Sequence, residues 1–133
     1  MILRLNPSSG VPVYLQIIEQ VKHAIATGVV SAGEQLPSVR QMAEDLLINP
    51  NTVARAYRDL EQEGIIEVKH GSGAFISESI KPPSKSMHKA QAVVKSAIDQ
   101  LASFEFTEEE IRRLIENELS LRKTNKSSRK KYA

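Results

Sequence analysis

A chain of 133 residues can hold one ordinary domain, or a small domain with an oligomerising appendage. Its hydrophobic content of 41% is that of a globular chain, and the lack of cysteine excludes a disulfide framework, a thiolate zinc site and thiol redox chemistry. The net charge of +2 conceals a division, since residues 1–79 carry 6 Lys/Arg against 9 Asp/Glu while residues 80–133 carry 12 against 7.

The N-terminal run Met1–Pro7 is too short and too mixed for a secretory leader, and no later stretch approaches about 18 uninterrupted apolar residues. The chain therefore reads as soluble and cytoplasmic, with no membrane partner. Tyr14, Ile17, Ile18, Val21 and Ile25 recur at helical spacing and predict a core helix over about Val11–Thr27, entered after Pro12 and stopped by Gly28. Ser31–Pro37 reads as a connecting loop. Ser38 then offers an N-cap, with Gln41 completing a capping box, for a short helix to Leu46 whose apolar side is Met42, Ala43, Leu46 and Leu47. Asn49 and Pro50 are the next start signal, an N-cap followed by a proline at the first helical position, and Gly64 is the stop. Only a tight turn fits between these two helices, so they must cross steeply, as in a helix-turn-helix.

The second helix of that pair has two separable faces. At about 100° per residue, Val53, Ala56, Tyr57 and Leu60 gather on one side, and Asn51, Arg55, Arg58 and Gln62 on the other with Thr52 and Asp59 on the flank. An apolar back and a front of Asn, Thr, Arg and Gln suit a reader of the DNA major groove, because these side chains give directional donors and acceptors to base edges and phosphates. Taken alone, the helix favours a solvated outer face, because most amphipathic helices have polar outsides for solubility.

The context decides between them. Ile65–Lys69 and Ala74–Ser77 are β-prone runs around His70-Gly71-Ser72-Gly73, which makes a hairpin directly after the candidate reading helix, a wing. A tip of small residues can approach a phosphate backbone, with Lys69 and His70 beside it to donate hydrogen bonds. The histidines, His23, His70 and His88, lack metal-ligand spacing, and no cofactor is expected.

Glu78–Ser86, with two adjacent prolines, serines and lysines, reads as a linker, which places a domain boundary near residue 80. Beyond it Ala90, Val94, Ala97, Ile98, Leu101 and Phe104 trace one helix. Thr107 and Glu110 form a capping box for another, with Ile111, Leu114, Ile115 and Leu119 on one side. Two such helices cannot cover both stripes on each other alone, so self-association into a four-helix bundle is expected, through Val94, Ile98, Leu101, Ile111, Leu114 and Ile115. The competing arrangement folds them back on the N-terminal domain. Arg122–Ala133 holds 6 Lys/Arg and no acid, and its composition reads as a disordered basic tail that attracts phosphate or merely solubilises.

The expected architecture is thus mainly α with a small β-hairpin: a winged helix-turn-helix domain over 1–79, a linker and two-helix dimerisation hairpin over 80–121, and a tail over 122–133. The excess acid of residues 1–79 counts against a simple electrostatic footprint on DNA and favours the alternative of a winged-helix protein-interaction module. Position weakens the objection: Glu61, Glu63 and Glu67 lie toward the far end of the reading helix or beyond it. The candidate contact residues are Ser38, Arg40, Asn51, Thr52, Arg55, Arg58, Lys69, His70 and Gly71. No nucleophile–base constellation or phosphate loop is present, so an enzyme is not expected. The small appendage leaves little volume for an enclosed effector pocket of about 300 Å³, and a small-molecule effector, if there is one, is left to a dimer interface.

With Pro12-Val13-Tyr14-Leu15-Gln16-Ile17, Gly33-Glu34-Gln35-Leu36-Pro37-Ser38-Val39-Arg40, Asn49-Pro50-Asn51-Thr52-Val53-Ala54-Arg55-Ala56-Tyr57, Leu60-Glu61-Gln62-Glu63-Gly64 and Gly71-Ser72-Gly73 in this order, the chain resembles GntR-family transcriptional regulators over about residues 10–77. Its short two-helix C-terminal part is similar to that of the YtrA subfamily, in which the appendage is associated with dimerisation. The resemblance implies a homodimeric DNA-binding repressor on a two-fold related operator. It also implies that Arg40 contacts a phosphate or a guanine edge, that Asn51, Thr52 and Arg55 belong to the reading face, and that His70 and Gly71 form the wing tip. Relatives in other branches often carry arginine or serine where this chain has Pro50 or Asn51, so base preference does not transfer from them.

Overall fold

The computed structural model describes the backbone of residues 1–132 and the side chains of residues 1–125. In chain order the elements are α1 (Val13–Ala26), β1 (Gln35–Leu36), α2 (Val39–Leu46), α3 (Pro50–Gln62), β2 (Ile66–Lys69), β3 (Gly73–Ile76), α4 (Lys85–Ser103) and α5 (Glu108–Tyr132). They divide into two compact units, Met1–His88 and Lys89–Ala133.

In the first unit α3 packs against α1, α2 and β2. Ile17 and Val21 of α1, Val53 and Leu60 of α3, Ile66 of β2 and Ile76 of β3 are fully buried at its centre. Each such side chain contributes on the order of 1.5–3 kcal/mol by leaving water. The apolar back foreseen for the reading helix is the buried face of α3, where Val53, Ala56, Tyr57 and Leu60 are all covered.

Local signals set most boundaries. Asn49 caps α3 by accepting the Asn51 N–H at 2.8 Å, with Pro50 at the first helical position. At the other end Gly64 takes φ +75°, and the Ile65 N–H reaches back to the Leu60 carbonyl at 3.0 Å while the Gly64 N–H reaches that of Glu61 at 2.9 Å. That reciprocal pair satisfies the last carbonyls of α3 and requires a left-handed residue, hence glycine. Ser38 caps α2 through the Gln41 N–H at 3.0 Å, but only half of the expected capping box forms, because the Gln41 amide turns forward to Asp45 at 2.8 Å.

The turn between α2 and α3 departs from the usual chemistry. It closes with Leu47 at φ +56°, in the left-handed region where a Cβ is strained, and the side chain is 90% exposed, so no burial offsets that strain. Leu47→Gly is expected to raise stability by about 0.5–1 kcal/mol in urea unfolding. An unchanged or lower value would place the leucine in contacts it does not make here.

Three features differ from expectation. The segment Ser31–Pro37 is not merely a loop, because Gln35 and Leu36 form β1, paired antiparallel with Phe75 and Ala74, and the sheet runs β1-β3-β2. A strand of this length is too short to show a period of two in sequence. Gln16, on the core side of α1, is buried, with its amide filled by the N-terminal segment: Oε1 accepts the Asn6 N–H at 2.8 Å and Nε2 donates to the Asn6 and Val11 carbonyls at 2.9 Å each and to Ser9 Oγ at 3.1 Å. The third difference is that α4 begins at Lys85, inside the stretch whose prolines and serines suggest a linker; Ser84 Oγ accepts the Met87 N–H at 3.0 Å at its start.

In the second unit the box foreseen at the start of α5 is complete, Thr107 Oγ1 accepting the Glu110 N–H at 3.2 Å and Glu110 accepting the Thr107 N–H at 2.9 Å. Phe104 falls just past the end of α4. α4 buries no residue, whereas Ile111 of α5 is covered. α5 continues through Arg122–Asn125, with Arg122 paired to Glu118 at 3.0 Å one turn back, which corrects the expectation of a disordered tail for those residues. The backbone of α5 runs on to Tyr132, and of that stretch only Ala133 lies outside the described residues.

Candidate nucleic-acid interface

α3 presents Asn51, Arg55, Arg58 and Gln62 to solvent, with Thr52 and Asp59 half-buried beside them. The fold sorts these residues to two sides. Ala54 and Arg58 turn toward the wing, where they line a cleft of about 550 Å³ with Ser38 at the start of α2 and Val68 and His70 of the hairpin. Arg55 turns toward α1, where its guanidinium carbon lies 3.8 Å from the centroid of the Tyr14 ring.

The cleft has a fixed floor. Tyr57 is buried and its hydroxyl donates to the Pro37 carbonyl, which ties the middle of α3 to the residue before the Ser38 cap. Burial pushes the Tyr57 phenol well above its ordinary range, so it stays a neutral donor at physiological pH. On the opposite side Gln35 Nε2 donates to the Ser72 carbonyl at 3.0 Å, so β1 steadies the hairpin turn. That turn is a short loop in which Gly71 has φ +78° and the Ser72 N–H bonds the Lys69 carbonyl at 3.0 Å.

Arg40, Lys69 and Gly71 neighbour cleft residues in sequence but do not line the cleft themselves. Arg40, in the first turn of α2, is 88% exposed at its side chain, and its 3.5 Å approach to Glu44 is a surface pair of small energy that a phosphate can displace. Lys69 lies over the Phe75 ring at 4.9 Å, and His70 and Gly71 are exposed at the hairpin tip. Ser38, Arg58 and His70 are thus brought together. Arg55 and Thr52 stand apart from them on the α1 side.

Sequence position misleads for Glu61, which lines the same cleft as Arg58 and His70; its carboxylate accepts the Val68 N–H at 3.1 Å and so satisfies a group on the sheet edge. Glu63, by contrast, is turned away to pair with Lys22 of α1 at 2.7 Å. Ala54, in the cleft wall, gives no chemical signal in sequence, because its side chain is only a methyl. A small residue between two polar ones on a helix front is nevertheless where a base can come close, and alanine can meet a thymine methyl.

Of the residues proposed to join two copies, Val94, Ile98, Leu114 and Ile115 are exposed and Leu101 is half-buried. Ile111 is covered within one chain and offers little surface to a second. Val93, Phe104, Phe106, Leu119 and Leu121 extend the exposed apolar surface. Among the described residues no helix is long and apolar enough to cross a membrane, and no cluster of His, Asp and Glu could hold a metal ion.

The family model described as bacterial regulatory proteins, gntR family, matches residues 13–76. The HTH-type transcriptional repressor YtrA of Bacillus subtilis (strain 168) is 40% identical over 99 residues, covering 74% of this chain and 75% of that protein. A transcriptional antiterminator from Listeria monocytogenes EGD-e has a similar structure, with a TM-score of 0.58, 32% identity, and coverage of 88% of this chain and 89% of that one. YtrA from Sulfolobus acidocaldarius, a GntR-family transcription factor, superposes with a TM-score of 0.53 at 29% identity, covering 88% of this chain and 96% of that one.

Proposed function

The chain belongs to the GntR family of bacterial regulatory proteins, and from that premise we propose that it is a cytoplasmic, sequence-specific DNA-binding repressor that acts as a homodimer on a two-fold related operator. Its family and relatives are transcriptional regulators, not enzymes. The observation that carries the reading is the convergence of Ser38, Arg58 and His70 on one cleft between α2, α3 and the wing. α3 enters the major groove with Asn51, Ala54 and Arg58 toward the bases. Arg40 and the wing residues Lys69, His70 and Gly71 meet the flanking phosphates, and Ser38, Thr52 and Arg55 complete the contact surface.

The exposed apolar residues of α4 and α5 support the pairing of two chains, since α4 buries no residue and Leu114, Ile115 and Leu119 of α5 stay exposed although Ile111 is covered. Two heads then engage half-sites about one helical turn, ~34 Å, apart.

A salt titration tests the reading. With about six cationic phosphate contacts per dimer, the logarithm of affinity for a random duplex is expected to fall with a slope near −5 against the logarithm of salt, and a duplex selected from a random pool is expected to bind at least ~10³-fold more tightly. No binding to either duplex at low salt would reject it. That outcome would favour a winged-helix module that docks on a protein, the reading supported by the acidic balance of residues 1–79 and by Glu61 in the cleft.

A further inference from the structure

Among the arginines of the described residues, Arg55 is set apart by lying on an aromatic ring. Among the described residues, Arg40, Arg112, Arg113 and Arg122 each pair with a glutamate one turn away on the same helix, at 3.5, 2.6, 3.9 and 3.0 Å. Arg55 has Asp59 one turn on but makes no ion pair with it; its guanidinium lies instead on the face of Tyr14 at 3.8 Å, within stacking distance. Tyr14 sits half-buried in the first turn of α1, the helix that packs on α3. Its ring is therefore a platform held by the core.

We propose that Tyr14 is a positioning residue of the DNA interface, holding the Arg55 guanidinium flat so that Arg55 clamps a backbone phosphate at the α1 edge of α3. The inference rests on the DNA-binding reading above. A stacked guanidinium keeps its N–H donors in its own plane and directed outward past the ring, so the stack consumes none of the fork that matches two phosphate oxygens. It also removes beforehand part of the rotamer freedom that an exposed arginine loses on binding. The place on the helix selects phosphate over base. Asn51, Ala54 and Arg58 occupy the centre and wing side of the front, whereas Arg55 leans away toward α1, and the edge of a helix lying in a groove meets the groove wall. The ring meets the face of the guanidinium and a phosphate would meet its edge, so the two contacts do not compete for the same donors.

The test uses the full chain, a duplex selected from a random pool and a random duplex. Arg55→Ala is expected to weaken both about 10-fold and to reduce the salt slope by about one per head. Tyr14→Leu is expected to weaken both 3- to 10-fold, Tyr14→Phe, which keeps the ring, to bind as the parent does, and the Tyr14→Leu/Arg55→Ala pair to be no weaker than Arg55→Ala alone. Arg55→Lys keeps the charge and leaves α1 untouched, yet lacks the planar fork, and is expected to lose most of what Arg55→Ala loses.

Arg55→Lys binding as the parent does would show that a point charge suffices and overturn the proposal. So would Arg55→Ala altering preference at one base pair with an unchanged salt slope, or additive losses in the pair. If the parent protein binds neither duplex at low salt, it is the DNA-binding reading that fails. If the parent binds and the Arg55 and Tyr14 variants bind equally well, only the platform fails.

Discussion

Aspartate at both Ile98 and Leu114 is expected to leave the protein monomeric at micromolar concentration and to weaken operator binding by about 10²–10⁴-fold. Ile98 is 39% and Leu114 44% exposed, so in one chain the new carboxylates stay in water and the folded head is undisturbed. Between two chains the same carboxylates would be stripped of water against Val94 and Ile115 of the facing helices, and an unpaired buried charge costs several kcal/mol. Loss of the pair removes the second head's contribution, which is an effective-concentration effect and requires no change in either reading face. Sedimentation and binding titrations check both parts together. A variant that remains dimeric would move the interface elsewhere, and a monomer with undiminished affinity would end the two-head account.

Most of this architecture was legible locally, and the reasons are physical. The back of α3, the Asn49-Pro50 start and the Gly64 stop depend on neighbours within a turn or two, and all appear as expected. What escaped depends on partners distant in sequence. β1 exists because β3 offers it an edge, and Gln16 is buried because Asn6, Ser9 and Val11 wrap back on it. The front of α3 looked like one polar stripe, but two different neighbours divide it: Tyr14 draws Arg55 to one side, and the cleft beside His70 holds Arg58 on the other. Helical spacing gives the angle of a side chain about the axis, and only the packing around the helix says which neighbour it meets. Glu61 makes the same point, since its role on the Val68 N–H follows from the hairpin folding back along α3.

Leu60→Ala is expected to destabilise the first unit by about 2–5 kcal/mol, because the side chain is fully buried between α3 and its neighbours and its removal leaves a cavity as well as losing transfer energy. In a unit of this size that corresponds to a fall of roughly 10–25 °C in Tm, a large fraction of the total stability of a small domain. The site also couples stability to binding. Leu60 supplies the carbonyl that accepts the Ile65 N–H at 3.0 Å, at the corner where α3 ends and the chain turns toward β2, so loosening its side chain loosens the angle between reading helix and wing. Binding by Leu60→Ala is therefore expected to weaken even at temperatures where circular dichroism shows the helices intact. Arg58→Ala, on the exposed front, is expected to weaken binding with Tm unchanged. The two variants together separate a head that has lost its shape from one that has lost a contact. A Leu60→Ala protein with its Tm within ~3 °C of the parent's would mean that the core around α3 collapses to refill the cavity, and the wing angle would then depend on the Gly64 turn alone.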